Sequence, residues 1–544
     1  MPESLYFEYP HYAARRAPEL DGHASATSVV VVGAGPVGMA LALGLAQRDV
    51  PVVVIEPLTT VGYGSRAGSV SRHSIEFLRR LGIADELLDI GLTYSEGWTY
   101  FRADEVFHLE IPGDSYDRLP PMLKVQQCYI EAALAAALDK HPLVDLRWGT
   151  TLTSLAQIDD TIVIDLSSED GDYQLSADYV VACDGARSTV RSVLGLELEG
   201  VTYPSAFIIA DIQFVKESPA GRRVWFDPPW NPGGSVIMHR QPRDIWRFDY
   251  QLPRGCSLAE ENDRAVITTR IKDHLQWIGF DGDWKLDWTS VYYAHGRRLS
   301  NFRHDRLLFA GDAAHLVPIF GVRGLNGGLA DVANLAWKLA RVVQGRSSDE
   351  LLDSYATEAQ GMADYNIAQA DRSTRFMCPR SDGARTLRDA ALRLALSNEF
   401  VRPLLNPRQS SAVPQYDSPL NATPQAIGCL GAGDVIPDLP LGPPDATPQF
   451  VHDYLGDGFT LLHFDDGSAD AEVANAEIGS EQVRVARLPV LPTTPAYDRL
   501  KPLSGRHFLV RPDTYIVAAW DYPPINDLPE AIRHATATPN HSHD

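Results

Sequence analysis

The chain has 544 residues, 44% hydrophobic and 22% charged, which excludes a disulfide-held mini-protein or a disordered tail and suggests about three domains. Lys and Arg number 48 against 71 Asp and Glu, a net charge of −23. Such a surface repels phosphate backbones and anionic lipid, which argues against nucleic acid or a membrane as the main partner.

Residues 1–26 carry Glu3, Glu8, Glu19 and Asp21 among aromatics, with no apolar run, and read as an N-terminal extension without a signal peptide. Val29 to Ala46 has no charge, but Gly33, Gly35, Pro36, Gly38 and Gly44 interrupt it. Strand, tight turn and helix explain that order better than a membrane span. The strand is Ser28 to Val32, the helix runs from Pro36 to about Arg48, and a second strand, Pro51 to Ile55, ends at Glu56: one βαβ unit. Helices follow at about Ser71–Leu81 and Tyr129–Leu138.

From Leu146 to Tyr179 the pattern becomes short alternating strands with acidic turns, and Tyr179–Cys183 reads again as a buried-type strand. Residues 201–295 read as an antiparallel sheet, with strands near Ala206–Phe214, Arg223–Phe226, Ser235–Arg240, Trp246–Leu252 and Trp288–Tyr293. Leu307–Ala310 returns to the buried parallel type, and Leu325–Val343 and Leu351–Arg375 read as long helices. Residues 401–445, rich in Pro, Asn, Gln and Ser, read as a linker, and 446–544 as a small α/β domain. The five cysteines (Cys128, Cys183, Cys256, Cys378, Cys429) form no C-x-x-C, so neither zinc nor a dithiol centre is expected, and a reducing cytoplasm is.

Gly33-x-Gly35-x-x-Gly38 after a strand gives a tight turn, a close approach for a phosphate and close helix–strand packing. The helix it opens points N–H groups and partial positive charge at a pyrophosphate. Glu56 is placed to accept from ribose hydroxyls. Two further strands run into Gly and Asp: Tyr179-Val-Val-Ala-Cys-Asp184-Gly185-Ala-Arg187 and Arg306-Leu-Leu-Phe-Ala-Gly311-Asp312-Ala-Ala-His315. Ligands of open α/β sheets bind at such strand ends. Gly324-Leu325-Asn326 sits at or near the start of a strong helix, whose dipole would favour negative charge on a bound group.

With these three motifs the chain resembles the FAD-dependent aromatic hydroxylases, the single-component flavoprotein monooxygenases, over about Ser28 to Asp371. The tail, with Gly433-Asp434-x-x-Pro437-Asp438 and Leu509-Val-Arg511-Pro512-Asp513, resembles the thioredoxin-like C-terminal domain of the larger members, such as phenol, pentachlorophenol and hydroxyphenylpropionate hydroxylases. The expected fold is therefore α/β: a Rossmann-like FAD-binding domain (27–200 and 296–400) interleaved with an antiparallel β-sheet substrate domain (201–295). A thioredoxin-like domain lacking C-x-x-C completes it.

The resemblance assigns Gly33, Gly35, Pro36, Gly38 and Glu56 to the ADP half of FAD. It places Arg66 beside pyrophosphate and flavin, Gln127 near the ribityl chain and Asp184 near FAD and the reduced nicotinamide. Gly311 and Asp312 go to the ribityl and pyrophosphate region, and Pro318, Gly324, Leu325 and Asn326 to the loop lining the ring. Where the family often has Gly-Gly-Gln-Gly, this chain has Gly321-Val322-Arg323-Gly324, which implies a ring pocket of different shape and charge. Arg247 resembles an arginine that contacts flavin, with His239 and Asp249 then substrate-facing, Tyr203, His73 and Tyr292 further candidates, and His315 shaping its loop. No metal ligand set is expected.

The implied chemistry is NADH or NADPH reduction of bound FAD, uptake of O2 as a flavin C4a-hydroperoxide, and transfer of one oxygen to a small phenolic substrate. A base such as His239 would assist by removing the phenol proton. The resemblance leaves the oligomeric state open, a homodimer being usual in the larger members. An oxidase or halogenase on the same fold, or a flavin-binding scaffold, stay as alternatives.

Overall fold

A computed structural model describes residues 3–23, 26–215, 220–405, 412–424, 430–443, 447, 449–468 and 470–537. Cys429 and the 445/446 domain boundary lie outside the described residues.

The first sheet runs in the order Arg303–His304, Leu307–Phe309, Gly171–Ala182, Ala26–Val32, Val52–Glu56, Val144–Trp148. Its core pairings are parallel: Val29 faces Tyr179 on one side and Val52 on the other. Val29, Val30 and Val31 are 0% exposed, which is why the run is continuously apolar. The Pro36–Ala46 helix is buried nearly all round, against the Gly324–Val343 and Gln127–Asp139 helices, so its lack of charge reflects a protein core. No helix among the described residues is long and apolar enough to cross a membrane.

The buried-type run from Tyr179 is present as the end of the longer Gly171–Ala182 strand, whose first half pairs antiparallel with Thr161–Ser168 and whose second half pairs parallel with Ala26–Val32. Burial changes from alternating to continuous at Tyr179, and the chain runs straight through.

The second sheet has the order His315–Leu316, Lys285–Arg298, Glu199–Gln213, Ile245–Gln251, Ser235–Arg240, Arg222–Phe226, Glu96–Phe101, Asp104–Glu110. All five expected strands are present, four of them longer or shifted at an end. Three more come from outside 201–295, and Glu96–Phe101 pairs parallel with Arg222–Phe226. One face, with Ile208, Ile212, Met238, Trp246 and Phe248, packs under a helix not expected from sequence, Arg264–Trp277, through Ile267, Ile271 and Leu275. The opposite face presents Asp211, His239, Arg247 and Asp249 towards the first sheet's loops.

The C-terminal unit is a five-stranded sheet, Glu472–Ile478, Glu481–Pro489, Thr460–Asp465, His507–Val510, Ile516–Trp520, with the Leu528–Thr536 helix. Of the 401–445 stretch, read from composition as linker, the described parts 413–424 and 430–441 are packed rather than free: Leu420, Ile436, Leu439 and Leu441 are buried. Composition misled because Pro and Gly here build turns over a core. Gln415 and Gly433, for example, share a backbone bond of 2.7 Å.

This unit is fastened by buried charge. Glu358, 2% exposed, accepts from Lys338 Nζ (2.7 Å), from Arg511 Nη1 (2.6 Å) and from Ser418. Arg511 also donates to Asp513, which accepts the Trp337 indole N–H at 3.1 Å. Two cations and two anions close a neutral cluster between the Gly324–Val343 and Leu351–Met377 helices and the C-terminal sheet. Arg511→Ala leaves two carboxylates against one lysine, so denaturant titration should show a loss of about 3–5 kcal/mol.

A second fastening joins Glu76 to His452 Nδ1 (3.1 Å) and Arg79. Burial pushes the Glu76 carboxyl up, but hydrogen bonds from His452 and Arg79 outweigh it and bring it down to about 2. A lowered folded value means this stabilisation is complete above the unfolded value, 4.5, and is lost as pH falls towards about 2. Acid titration of Glu76→Gln should lack that component of the unfolding transition.

Candidate functional site

The parallel strands bring the three motifs to one edge. Gly33 N–H bonds Ile55 O (2.8 Å), Cys183 N–H bonds Val32 O (2.8 Å) and Ala310 N–H bonds Ala182 O (3.0 Å). Gly33 has φ 103°, and a Cβ there would lie 2.6 Å from Cys183 O. A Cβ on Gly38 would lie 2.0 Å from Gly33 O, whereas one on Gly35 meets nothing within 4 Å. Gly33 and Gly38 therefore serve packing, and Gly35 faces open space at the start of the Pro36–Ala46 helix. That helix has no side-chain cap, so its first amides are free for an anion.

Around this edge lie carboxylates. Glu56 accepts from the amides of Ala34 (2.8 Å) and Leu58 (3.0 Å), so it braces the glycine turn as well as facing the site. Asp184 accepts from Val190 N–H at 3.1 Å through one oxygen, while its other oxygen is buried with no partner. Asp312 opens on the cleft yet is walled by protein, with no hydrogen bond among the described residues. Burial raises its pKa; His315 and Arg66 pull it down, and Asp331 pushes it up. Burial likewise raises Glu56 and Asp184. Unpartnered carboxylates in a partly dry cleft suit hydroxyl donors.

Behind Asp312 stands a residue that sequence reasoning missed. Asp331, on the Gly324–Val343 helix, accepts from Gly311 N–H (2.9 Å) and meets His315 Nε2 (2.6 Å). His315 is thus held as a loop-shaping group.

The Gly324–Val343 helix also has no side-chain cap, leaving the Gly324, Leu325 and Asn326 amides free of one. Asn326 accepts from Ser71 N–H (2.9 Å) and donates to Val322 O (2.7 Å), pinning the loop in which Val322 has φ 62°. Left-handed β-branched residues are strained and cluster at sites. Pro318 is buried beside this loop. Arg323 donates to Asn366 (2.8 Å) and lies over Tyr365, so the substitution at this position adds packing rather than charge to the cleft.

Loop 62–69 joins the two sheets. From the first side, Gln127 accepts from Ala67 N–H (3.3 Å) and Glu131 from Gly62 N–H (2.6 Å). From the second sheet, Asp211 accepts from Ser65 N–H (3.0 Å) and Arg247 donates to Arg66 O. Arg66 is exposed, with φ 29°. Burial pushes Asp211 up to about 7, against hydrogen bonds from Ser65 and the nearby Arg247.

Next to this loop, His239 pairs in register with Arg247 on one side and Arg222 on the other, and Arg247 binds Asp249 at 2.9 Å. Lys124, not singled out from the sequence, is 0% exposed, with Nζ 2.9 Å from His239 Nδ1. Its signal was a lone lysine in the apolar run Met122-Leu123-Lys124-Val125. Tyr292 lies near Asp312, Arg247 and the Ile319 amide. Tyr203 is not brought here: its hydroxyl donates to Asp371 and Arg380 covers its ring, so it ties the sheet to the Leu351–Met377 helix. His73 instead faces the C-terminal unit, its ring 6.3 Å from that of Tyr515.

A family described as FAD binding domain matches residues 26–370, well over half of the chain. The 3-(3-hydroxy-phenyl)propionate/3-hydroxycinnamic acid hydroxylase of Mycolicibacterium smegmatis is 27% identical over 446 residues, 80% of this chain and 77% of that protein. A second hydroxylase of that name, from Burkholderia vietnamiensis, is 29% identical over 80% of this chain and 79% of that protein. Among solved structures, the flavin-dependent monooxygenase PieE, in complex with FAD and substrate, superposes with TM-score 0.75 at 20% identity. It covers 95% of this chain and 100% of that one. The p-nitrophenol 4-monooxygenase PnpA of Pseudomonas putida gives 0.61 at 24% identity, covering 72% and 100%.

The tightest contact in the glycine turn is testable by itself. Gly38→Ala drives a Cβ into the Gly33 carbonyl, and thermal unfolding should show destabilisation of about 3 kcal/mol or more, or a loss of soluble protein.

Proposed function

The chain belongs to the FAD-binding domain family, and on that premise we propose that it hydroxylates a small phenolic compound, using NADH or NADPH and O2. The reading is supported by similarity over four fifths of the chain to proteins named as hydroxylases of phenolic acids. The observation that carries it is loop 62–69, held at once by Gln127 and Glu131 of the cofactor side and by Asp211 and Arg247 of the second sheet. The polar face bearing His239, Arg247 and Asp249 is thereby fixed beside the cofactor cleft.

The residues present fit FAD. The open approach at Gly35 and the uncapped helix behind Pro36 suit the pyrophosphate, with Gly33 and Gly38 packing that turn and Glu56 facing the ribose. Asp312, free in the cleft at Gly311, and Asp184, with one orphan oxygen, suit the ribityl and pyrophosphate hydroxyls and waters. Arg66 supplies positive charge, Gln127 orients its loop, and Pro318 with the Gly324, Leu325 and Asn326 amides faces the ring. Bound FAD supplies the electron transfer from nicotinamide and the activation of O2. The protein's own part is to hold the phenol against the sheet, to exclude water, and to take the phenolic proton at His239 Nε2. Arg222 and Arg247 then face the phenolate.

The C-terminal unit is proposed to be thioredoxin-like and to serve packing or a homodimer, and the protein to work in the cytoplasm. Gel filtration at several concentrations reads the dimer.

Screening phenols for accelerated NAD(P)H oxidation, with mass spectrometry for a product heavier by one oxygen, tests the function. Peroxide without product would mean an oxidase, a halogenated product a halogenase, and no phenol-dependent oxidation a scaffold. Asp312→Ala should purify folded but largely colourless, with FAD affinity at least about tenfold weaker, as expected when a charge-assisted hydrogen bond is lost. Full flavin occupancy in that variant would mean the cofactor is misplaced.

A further inference from the structure

The cleft holds a pair of nitrogen bases that the scheme above uses only by half. Lys124 Nζ lies 2.9 Å from His239 Nδ1 and donates to Ser69 Oγ at 2.7 Å, with the Tyr94 ring 4.4 Å beneath it. Two nitrogens at hydrogen-bond distance share one proton; ammonium and imidazolium cannot face each other there. His239 is only partly buried, and its Nε2 has no hydrogen bond among the described residues, so it is the ring atom left for a ligand.

We propose that Lys124 is the second half of the phenol base: it receives, through His239, the proton that substrate gives up. This rests on the hydroxylase reading. In the resting site Lys124 is an amine, donating one N–H to Ser69 and accepting His239 Nδ1–H on its lone pair. The phenolic O–H bond breaks and its proton binds His239 Nε2, while the Nδ1–H bond breaks and that proton ends on Nζ. No electrons change hands, and the histidine finishes neutral in its other tautomer. Neutral phenol and neutral pair become phenolate and ammonium, so the cleft's net charge is unchanged.

The surroundings favour both ends. Burial lowers Lys124 well below the ordinary lysine value, and Arg222 and Arg247 lower it further, against Asp249. Burial lowers His239 too, with Lys124, Arg222 and Arg247 adding to it. Of the charged groups facing the pair, Arg247 is engaged by Asp249, while Arg222, 9% exposed, has no ion pair among the described residues. Arg222 opposes a proton on Lys124 while the cleft is empty and welcomes a phenolate when it is filled. The Tyr94 face then holds the ammonium.

The first test needs no substrate. In FAD-loaded enzyme with 15N-labelled lysine, NMR near neutral pH should show one amine-type Nζ signal, missing from Lys124→Arg; an ammonium there overturns the proposal. The second uses the phenol that most accelerates NAD(P)H oxidation. Lys124→Met should retain FAD, lose hydroxylation roughly tenfold to a hundredfold near neutral pH, and regain it towards the phenol's own pKa, about 10. Ultraviolet difference spectra should show the bound substrate as phenol in that variant and phenolate in the parent. Should Lys124→Met fail to fold, His239→Asn must show the same alkaline shift, since it keeps the lysine and cuts the path. An unchanged pH profile with bound phenolate, in either variant, refutes the relay. If no phenol is turned over, the hydroxylase reading fails, and the NMR arm still decides whether the pair shares its proton.

Discussion

The structure depends on how closely three strand tips approach one another. Parallel pairing puts the ends after Val32, Ala182 and Phe309 at one edge, and backbone bonds from Gly33, Cys183 and Ala310 stitch them together. The helix starting at Pro36 can descend onto that edge only because Gly38 has no Cβ to strike Gly33 O. The second long helix closes from the other side, where a Cβ on Gly328 would meet Val37 at 2.6 Å. With the helices this near, uncapped N-termini and unpartnered carboxylates share one cleft, which is what a long, doubly charged, hydroxyl-rich cofactor needs.

Loop 62–69 transmits that arrangement to the second sheet. It is held by amide bonds to carboxylates and amides from both sides. Asp211 is the unusual partner, a carboxyl of 0% exposure with one oxygen unbonded and a pKa brought up near neutrality by burial. Because one oxygen accepts from Ser65 and the other is bare, the loop's hold on the sheet is a polar one in a dry place. Any displacement of Ser65 or Arg66 exposes two unsatisfied groups, Asp211 and Arg247, and so is opposed by their desolvation.

What was legible from sequence followed from burial on both faces or from backbone constraint. Val29–Val32, Val52–Ile55 and Leu307–Phe309 have no polar face to show, and glycines with φ near 100° or under a neighbouring carbonyl have no substitute. The Glu96–Phe101 and Asp104–Glu110 strands were invisible because their partner, Arg222–Phe226, is remote in the chain and the outer strand is largely solvated. The Arg264–Trp277 helix did leave a signal, Asp263 capping Ala265 and Val266 with Ile267, Ile271 and Leu275 one turn apart. Strand alternation puts Arg247 and Asp249 on one face, but which face meets the cleft depends on where the helix packs. Tyr203 shows the same limit: nothing local foretells that Asp371 will take its hydroxyl.

The charge balance bears on how a phenol enters such a site. A surface of net charge −23 gives no long-range attraction to an anion, and salt confines its field to about 8–10 Å. Within the cleft the sign reverses, with Arg222 and Arg247 set against Asp249 around the Lys124–His239 pair. A phenol is uncharged in neutral water, so its ring can cross the acidic exterior without electrostatic penalty and meet cationic groups only after it is desolvated. Ionising it there, with the proton retained a few ångströms away, separates charge in a place where guanidinium groups already compensate it. An acidic shell around guanidinium groups thus sets no electrostatic penalty on a ligand that enters neutral and ionises inside.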